Sequence, residues 1–150
     1  MTDTLNKIST KLNKYFSTQP VVIVYLYGSR AKGKSDKFSD YDIGILFNDK
    51  LSKKDRFDLR LKYFSEIARL LRISPDNLDV VDIAQVPVLL QFNIIKGSLI
   101  FCGNNSRKIM TESEIMANYH DYHYYLDYYL QDTLRKIRKG VYFDRRIAYP

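Results

Sequence analysis

Two aspartates stand two residues apart at the start of a predicted strand, in the segment Ser39-Asp40-Tyr41-Asp42. On a strand, residues at that spacing project to the same face, and two carboxylates so close repel each other unless a cation lies between them. Mg²⁺ in proteins is usually held by one or two carboxylates together with substrate phosphates. The pair Asp40 and Asp42 therefore predicts a site for Mg²⁺ and a nucleotide.

Gly28 and Ser29 follow an apolar run and could hold the phosphates of such a nucleotide. Glycine allows the backbone to approach a phosphate closely, and N–H groups at the start of a helix favour anions. Ser29 adds a hydroxyl donor, and Arg30 adds a positive charge next to it. Three further cations follow in the same loop: Lys32, Lys34 and Lys37. We expect these cations to offset the charge of a triphosphate.

A third carboxylate is needed for a two-metal arrangement, in which ions about 3.5–4 Å apart stabilise the attacking and the leaving oxygen. Asp79 and Asp82 both lie on the third predicted strand. Because they are three residues apart, they face opposite sides of the strand, and at most one of them can join the site. We favour Asp79, which lies early in the strand, and Asp82 stays the alternative.

The elements that position these residues follow from hydrophobic periodicity. Apolar and β-branched runs predict four strands, at residues 21–27, 41–47, 78–83 and 98–102. Apolar residues three and four apart predict four helices, at residues 4–16, 52–71, 86–95 and 112–139. We expect an α/β (α+β) fold with a small mixed sheet of about four strands, packed with helices and ending in one long helix.

The last helix is expected to begin at a capping box formed by Thr111 and Glu114. It carries an apolar stripe with steps of three and four residues: Ile115, Tyr119, Tyr122, Leu126, Leu130, Leu134 and Ile137. The three stripe members in its middle, Tyr119, Tyr122 and Leu126, are expected to belong to the core.

Tyr124 and Tyr128 lie four residues apart on the same helix, away from that stripe. Since exposed tyrosine is enriched at protein interfaces, we interpret them as a candidate partner surface, with ordinary aromatic packing as the alternative. Six basic residues end the chain: Arg135, Lys136, Arg138, Lys139, Arg145 and Arg146. This basic end is a further candidate contact for a partner.

The composition bounds the remaining possibilities. A chain of 150 residues fits one domain, 1–150. Its single cysteine excludes a disulfide framework and favours a reducing compartment, so we expect a cytoplasmic protein without a membrane span. The net charge is +7, and residues 1–62 carry 13 Lys and Arg against 7 Asp and Glu. Because the excess surrounds the expected triphosphate site, we do not expect nucleic acid to be the partner.

The spacing of the motifs resembles a known family. Gly28-Ser29, ten residues and then Asp40-Tyr41-Asp42 match the GSx10DxD signature of the DNA polymerase β-like nucleotidyltransferase superfamily. With Leu78-Asp79-Val80-Val81-Asp82 and its small size, the chain resembles the minimal nucleotidyltransferases, and among them the MntA-type antitoxins that pair with HEPN-domain toxins. The motifs cover about residues 20–105, and the C-terminal helix agrees only in general layout.

The resemblance implies an activity and assigns roles to residues. The activity is Mg²⁺-dependent transfer of AMP from ATP to a tyrosine of the cognate toxin, which silences an RNase. It implies metal binding and catalysis by Asp40, Asp42 and Asp79, with two ions expected, and nucleotide binding by Gly28 and Ser29. By analogy alone, Asp79 accepts the proton of the attacking hydroxyl.

Three other functions remain open at this stage. The first is an antitoxin that acts by binding alone and carries a vestigial site. The second is a nucleotidyltransferase for small molecules such as aminoglycosides, although 150 residues leave little room for the added substrate domain of such enzymes. The third, a plain nucleic-acid binder, is supported only by the aromatic and basic C-terminal segment.

Overall fold

The structure, a computed structural model, describes residues 2–31 and 39–140, with side chains from residue 5 onward. The five helices of this part are α1 Thr2–Phe16, α2 Gly28–Ala31, α3 Lys53–Leu71, α4 Val88–Ile95 and α5 Asn105–Arg138. The four strands are β1 Val21–Tyr27, β2 Tyr41–Phe47, β3 Leu78–Asp82 and β4 Ser98–Cys102. The predicted loop cations Lys32, Lys34 and Lys37 and the terminal Arg145 and Arg146 lie outside the described residues.

The strands form one mixed sheet in the order β3-β2-β1-β4. β1 runs antiparallel to both of its neighbours, and β2 and β3 run parallel. This architecture confirms the predicted fold: a small four-stranded mixed sheet with helices and a long C-terminal helix. The predicted strand positions also hold, except that β3 ends one residue earlier, where Asp82 caps the 3₁₀ turn Ile83–Gln85.

Helices cover both faces of the sheet, which explains why β1 is apolar throughout. On one face α1 and α3 pack against the sheet, and Leu12 and Tyr63 are fully buried there. On the other face α4 and the first turns of α5 pack against it, and Ile94 is fully buried. From Ile23 to Tyr27, successive residues of β1 alternate between these two cores, so that none of these positions is left for a polar side chain.

α3 and α5 begin at side-chain caps, but the capping box predicted at Thr111 is wrong. Asn104 caps α5, and its side chain accepts a hydrogen bond from the backbone N–H of Arg107 at 2.9 Å. Because this cap lies seven residues upstream, Thr111 is buried inside the helix instead of preceding it. The chain does contain a capping box, at the start of α3, where Ser52 and Asp55 bond each other's backbone N–H.

The placement of Tyr122 and Leu126 in the core is also wrong, because these side chains are 42% and 41% exposed. The cause is the length of α5 relative to the strands of the sheet. A helix of 34 residues is about 51 Å long, whereas a seven-residue strand spans about 23 Å. Only the first part of α5 can therefore lie on the sheet, and Ile115 is the last stripe residue that is buried. Tyr119 is half-buried and stacks on Phe92 of α4.

Candidate active site

Two of the predicted carboxylates meet on the sheet. Asp42 of β2 and Asp79 of β3 are direct register partners in the parallel pair. Both point to the face of the sheet that α4 covers, because the residues next to them in each strand belong to the opposite core. Asp42 is half-buried, and Asp79 is exposed on an edge strand. The parallel register therefore joins two carboxylates that are 37 residues apart in the chain.

Asp82 lies on the opposite face. It is 5% exposed, accepts a hydrogen bond from the backbone N–H of Ala84 at 2.9 Å, and lies 3.9 Å from the guanidinium of Arg56 on α3. Burial raises the pKa of this carboxyl. The structure thus gives Asp82 a capping role and does not bring it to Asp42, in agreement with the parity argument made from the sequence.

Asp40 immediately precedes β2 and is exposed. Its charge reaches the pair, because Asp40 is one of three causes that raise the pKa of Asp42, after burial and after Asp79. The same carboxylates act on the neighbouring strand. The pKa of Tyr27, the register partner of Asp42 on β1, is raised by burial and then by Asp79 and Asp42. Negative charge is therefore concentrated at this end of the sheet.

Position 28 accepts no residue other than glycine. Its φ is +74°, in the left-handed region that side chains disfavour, and a Cβ at this position would overlap Oδ2 of Asp42. The carboxylate of Asp42 thus occupies the space that any other residue at position 28 would need. This contact explains why a glycine must precede Ser29, and it fixes the turn after β1 directly over the carboxylate.

Ser29 and Arg30 lie in the short helix α2, which begins at Gly28. Ser29 is exposed on the same turn as Gly28. The Nε of Arg30 donates to the backbone carbonyl of Ser39 at 2.7 Å, and its guanidinium lies 3.8 Å from the ring centre of Tyr41. The contacts seen for Arg30 therefore tie α2 to the segment in front of β2, and this tie holds Gly28 against Asp42.

A cleft of about 270 Å³ opens beside this turn. Its walls come from the end of β1, from α2 and from the last turn of α4, and they contain apolar groups, an amide and a cation: Tyr27, Gly28, Ala31, Leu90, Asn93, Lys96 and Gly97. Asn93 and Lys96 were not predicted to belong to the site, because α4 and the residue after it have the composition of a buried helix. The only local signal is Gly97, where a Cβ would overlap the carbonyl oxygen of Leu26.

The donor set fits Mg²⁺. In the part of the chain that the structure describes, no three His, Cys, Asp or Glu side chains lie close enough together to hold an ion by themselves. Mg²⁺ does not require three, because it is commonly held by one or two carboxylates with waters and substrate phosphates as the other ligands. Asp42 and Asp79 provide such a pair, and a cation next to them would relieve the repulsion that, after burial, raises the pKa of Asp42.

Comparison with known protein families supports this interpretation. Residues 10–106 match the family model described as polymerase beta, nucleotidyltransferase. The chain belongs to this family. The matched region contains Gly28, Asp42 and Asp79, together with the whole sheet. No curated protein matches the chain by sequence.

Solved structures show the same fold. A toxin–antitoxin complex with AMP-PNP matches with a TM-score of 0.63 and 20% identity, over 84% of this chain and 98% of the matched chain. A chain in the structure of the tri-AMPylated HEPN toxin of Shewanella oneidensis in complex with MNT antitoxin matches with a TM-score of 0.58 and 18% identity. The match covers 86% of this chain and 98% of that chain. An MntA–HepT toxin–antitoxin structure matches with a TM-score of 0.59. The chain therefore shares its fold with these structures.

The described helices also answer the question of membrane insertion. None of those within residues 2–31 and 39–140 is long and apolar enough to cross a membrane.

Proposed function

We propose that this protein is an antitoxin that transfers AMP from ATP to a tyrosine hydroxyl of a cognate HEPN-type RNase toxin. One observation carries the proposal: Asp42 and Asp79 are register partners, and the Asp42 carboxylate fills the Cβ position of Gly28. A pair of carboxylates of which one lies against a glycine turn is suited to binding a nucleoside triphosphate with its metal ions. The likeness to toxin–antitoxin structures adds the class of partner.

The turn of Gly28 and Ser29 binds the phosphates through its backbone N–H groups and the serine hydroxyl. Arg30 holds this turn in position through Ser39 and Tyr41. Asp42 and Asp79, with Asp40 beside them, would hold Mg²⁺. When bound, the metal ions neutralise phosphate charge and polarise the α-phosphate. Catalysis by the protein then consists of positioning and electrostatics, as in other phosphoryl transfers.

The reaction forms a bond between the tyrosine oxygen and the α-phosphorus of ATP, and it breaks the bond from that phosphorus to the bridging oxygen. Pyrophosphate leaves with the electron pair. A phenol has a pKa of about 10, so its proton must be accepted during the attack. We assign this task to Asp79, because it is the exposed member of the pair and lies on an edge strand of the sheet.

The toxin is proposed to contact the outer face of α5. Tyr124 and Tyr128 are 71% and 62% exposed, in agreement with a partner surface. The described part of the basic end lies about two to three turns beyond Tyr128: Arg135, Lys136, Arg138 and Lys139. An aromatic patch next to a cluster of cations suits a partner that presents an apolar groove with acidic residues at one end.

The test is transfer of label from α-³²P-ATP with Mg²⁺ to the protein encoded by the neighbouring gene. We expect a labelled partner with the wild-type chain, and at least about 100-fold less label with Asp42→Asn, which keeps the shape that packs on Gly28. Asp58→Asn on α3 is the matched control, because Asp58 is an exposed carboxylate away from the site, and it should label the partner normally.

The outcomes separate the competing functions. A partner that stays unlabelled with wild type contradicts the proposed transfer. If Asp42→Asn nevertheless protects cells from the toxin as well as wild type does, neutralisation is by binding alone. Labelling of an aminoglycoside in place of the partner would indicate a small-molecule transferase.

A further inference from the structure

The second half of α5, residues 119–138, carries an apolar stripe that the described residues leave open. Beyond Tyr119 its members are between 41% and 52% exposed: Tyr122, Leu126, Leu130, Leu134 and Ile137. In proteins most of the stability of a helix comes from packing of such an apolar face and not from intrinsic helix propensity. A contiguous apolar strip of this kind marks an interaction surface.

The spacing of the stripe is symmetric along the chain. Its members are residues 119, 122, 126, 130, 134 and 137, so that the steps are 3, 4, 4, 4 and 3. Read backwards from position 137, the steps are the same, and the centre is residue 128. A second identical helix running in the opposite direction would therefore place every stripe residue level with another stripe residue.

We propose that α5 pairs antiparallel with α5 of a second copy of this chain, about a two-fold axis at the level of Tyr128. In this pair Leu126 lies level with Leu130 of the second copy. Tyr122 lies level with Leu134, and Tyr119 with Ile137. Each tyrosine thus meets an aliphatic side chain, and the two centre positions are leucines, an arrangement that alternates large and smaller side chains across the interface.

The length of the exposed stripe fits this arrangement. From Tyr119 to Ile137 the helix rises about 27 Å. The body of the molecule ends where Tyr119 stacks on Phe92 of α4, with ring centroids 3.7 Å apart. Ile137 of the second copy would arrive at that point. The sheet and packed helices of each copy then lie beyond the C-terminal end of α5 of the other copy. The stripe is therefore covered along its whole exposed length.

Charge favours the antiparallel direction over the parallel one. The last turn of α5 is basic, with Arg135, Lys136 and Arg138. A parallel in-register pair would set these cations beside their own copies, whereas the antiparallel pair separates them by most of the helix length. Antiparallel macrodipoles also attract, because the negative end of each helix lies toward the positive end of the other.

Pairing of the stripe leaves the proposed toxin surface free. Tyr128 lies two residues from both Leu126 and Leu130, which is about 200° around the helix and hence on its opposite side. Tyr124 stands in the same relation to Tyr122 and Leu126. Self-pairing is thus independent of the proposed transfer reaction, and it would present two outward tyrosine faces for each dimer.

The first test is the mass of the purified full chain by sedimentation equilibrium, without any partner protein. We expect a species of twice the 17.7 kDa chain mass at micromolar concentration. Leu126→Asp should raise the dimer dissociation constant by about 100-fold or more, because each substitution buries a charge twice in a symmetric interface. Tyr128→Asp makes a similar change on the opposite face and should leave the dissociation constant unchanged.

The second test fixes the direction and does not depend on a destabilising variant. Tyr122→Cys and Leu134→Cys chains, both in a Cys102→Ser background, are mixed and oxidised. The antiparallel pair predicts a disulfide between the two variants, whereas two copies of position 122 lie about 18 Å apart along the axis. A disulfide dimer of the Tyr122→Cys chain alone would show a parallel pair and overturn the proposal. A monomeric wild type, or equal dissociation by Tyr128→Asp and Leu126→Asp, would overturn it as well.

Discussion

α1 and α5 carry the same kind of apolar stripe, but the stripe of α1 is buried and most of the stripe of α5 is exposed. In α1, Leu12 and Phe16 are completely buried between the sheet and α3. In α5, Leu126 and Leu130 lie on an equally regular stripe and are 41% and 52% exposed. Helix periodicity therefore identifies the face that will be covered. It does not identify what covers that face.

The difference comes from the size of the sheet. Because α1 has 15 residues and is about 22 Å long, nearly the span of a seven-residue strand, its whole stripe packs against the core. α5 has 34 residues and continues past the edge. Within residues 2–31 and 39–140, the fold supplies a partner for the first part of that helix only, and the remainder is available for another protein or another copy.

The largest expected effect is the difference in unfolding free energy between a Leu→Ala substitution in the core and the same substitution on the projecting part of α5. Leu12→Ala removes a fully buried side chain between α1 and the sheet, and we expect it to lower the free energy of unfolding by about 2–5 kcal/mol. Leu130→Ala should lower it by less than about 1 kcal/mol at concentrations that keep the chain monomeric. Urea unfolding of both variants measures the contrast, and equal losses would mean that α5 is covered within the monomer.

A smaller effect is expected from adding one methyl group at two glycines. At Gly97 a Cβ would overlap the backbone carbonyl of Leu26, which cannot move aside, and Gly97→Ala should cost about 1–3 kcal/mol. At Gly140 a Cβ meets nothing within 4 Å, but φ is +69°, so Gly140→Ala should cost about 1 kcal/mol of local strain at the end of α5. Gly97→Ala should therefore lower the midpoint of thermal unfolding more than Gly140→Ala does. A reversed order would contradict the comparison.

The smallest effects are in the pH dependence, and their signs are opposite. Burial raises the pKa of Asp82, so the folded protein binds this proton more tightly than the unfolded chain does, and its contribution to stability increases as the pH falls toward about 4. Hydrogen bonds from Lys136 and Arg135 lower the pKa of Asp132, so its contribution is complete above about pH 4 and is lost as the pH falls further.

Unfolding measured across pH 3–7 tests both signs. Relative to Asp82→Asn, the wild type should gain stability as acid is added. Relative to Asp132→Asn, it should lose stability in acid. A wild type and an Asp82→Asn variant with parallel pH curves would show that the buried carboxyl has no raised pKa.

The sequence predicted the sheet and its strand positions well, because β1 and β2 are short runs of apolar and β-branched residues with clear ends. It predicted the helix ends less well. Thr111 and Glu114 have the right residue types for a cap, but Asn104 caps the helix upstream, and local sequence alone does not rank two competing caps. The sequence favoured Asp79 over Asp82 as the neighbour of Asp42, and Asp42 and Asp79 are register partners. The contribution of α4 to the cleft, through Asn93 and Lys96, was missed, because nothing local reveals which helix will face the Gly28 turn.

By itself the sequence determined which residues share a face and which do not: Asp79 and Asp82 lie on opposite faces of one strand, and the apolar residues of α5 form one stripe. These relations follow from the fixed periods of strand and helix. Only the tertiary structure decided which faces meet. The parallel register of β2 and β3 placed Asp79 beside Asp42, and the packing of the β1 turn against Asp42 made Gly28 obligatory. The limited extent of the sheet left the second half of α5 uncovered, because burial depends on contacts between residues far apart in the chain.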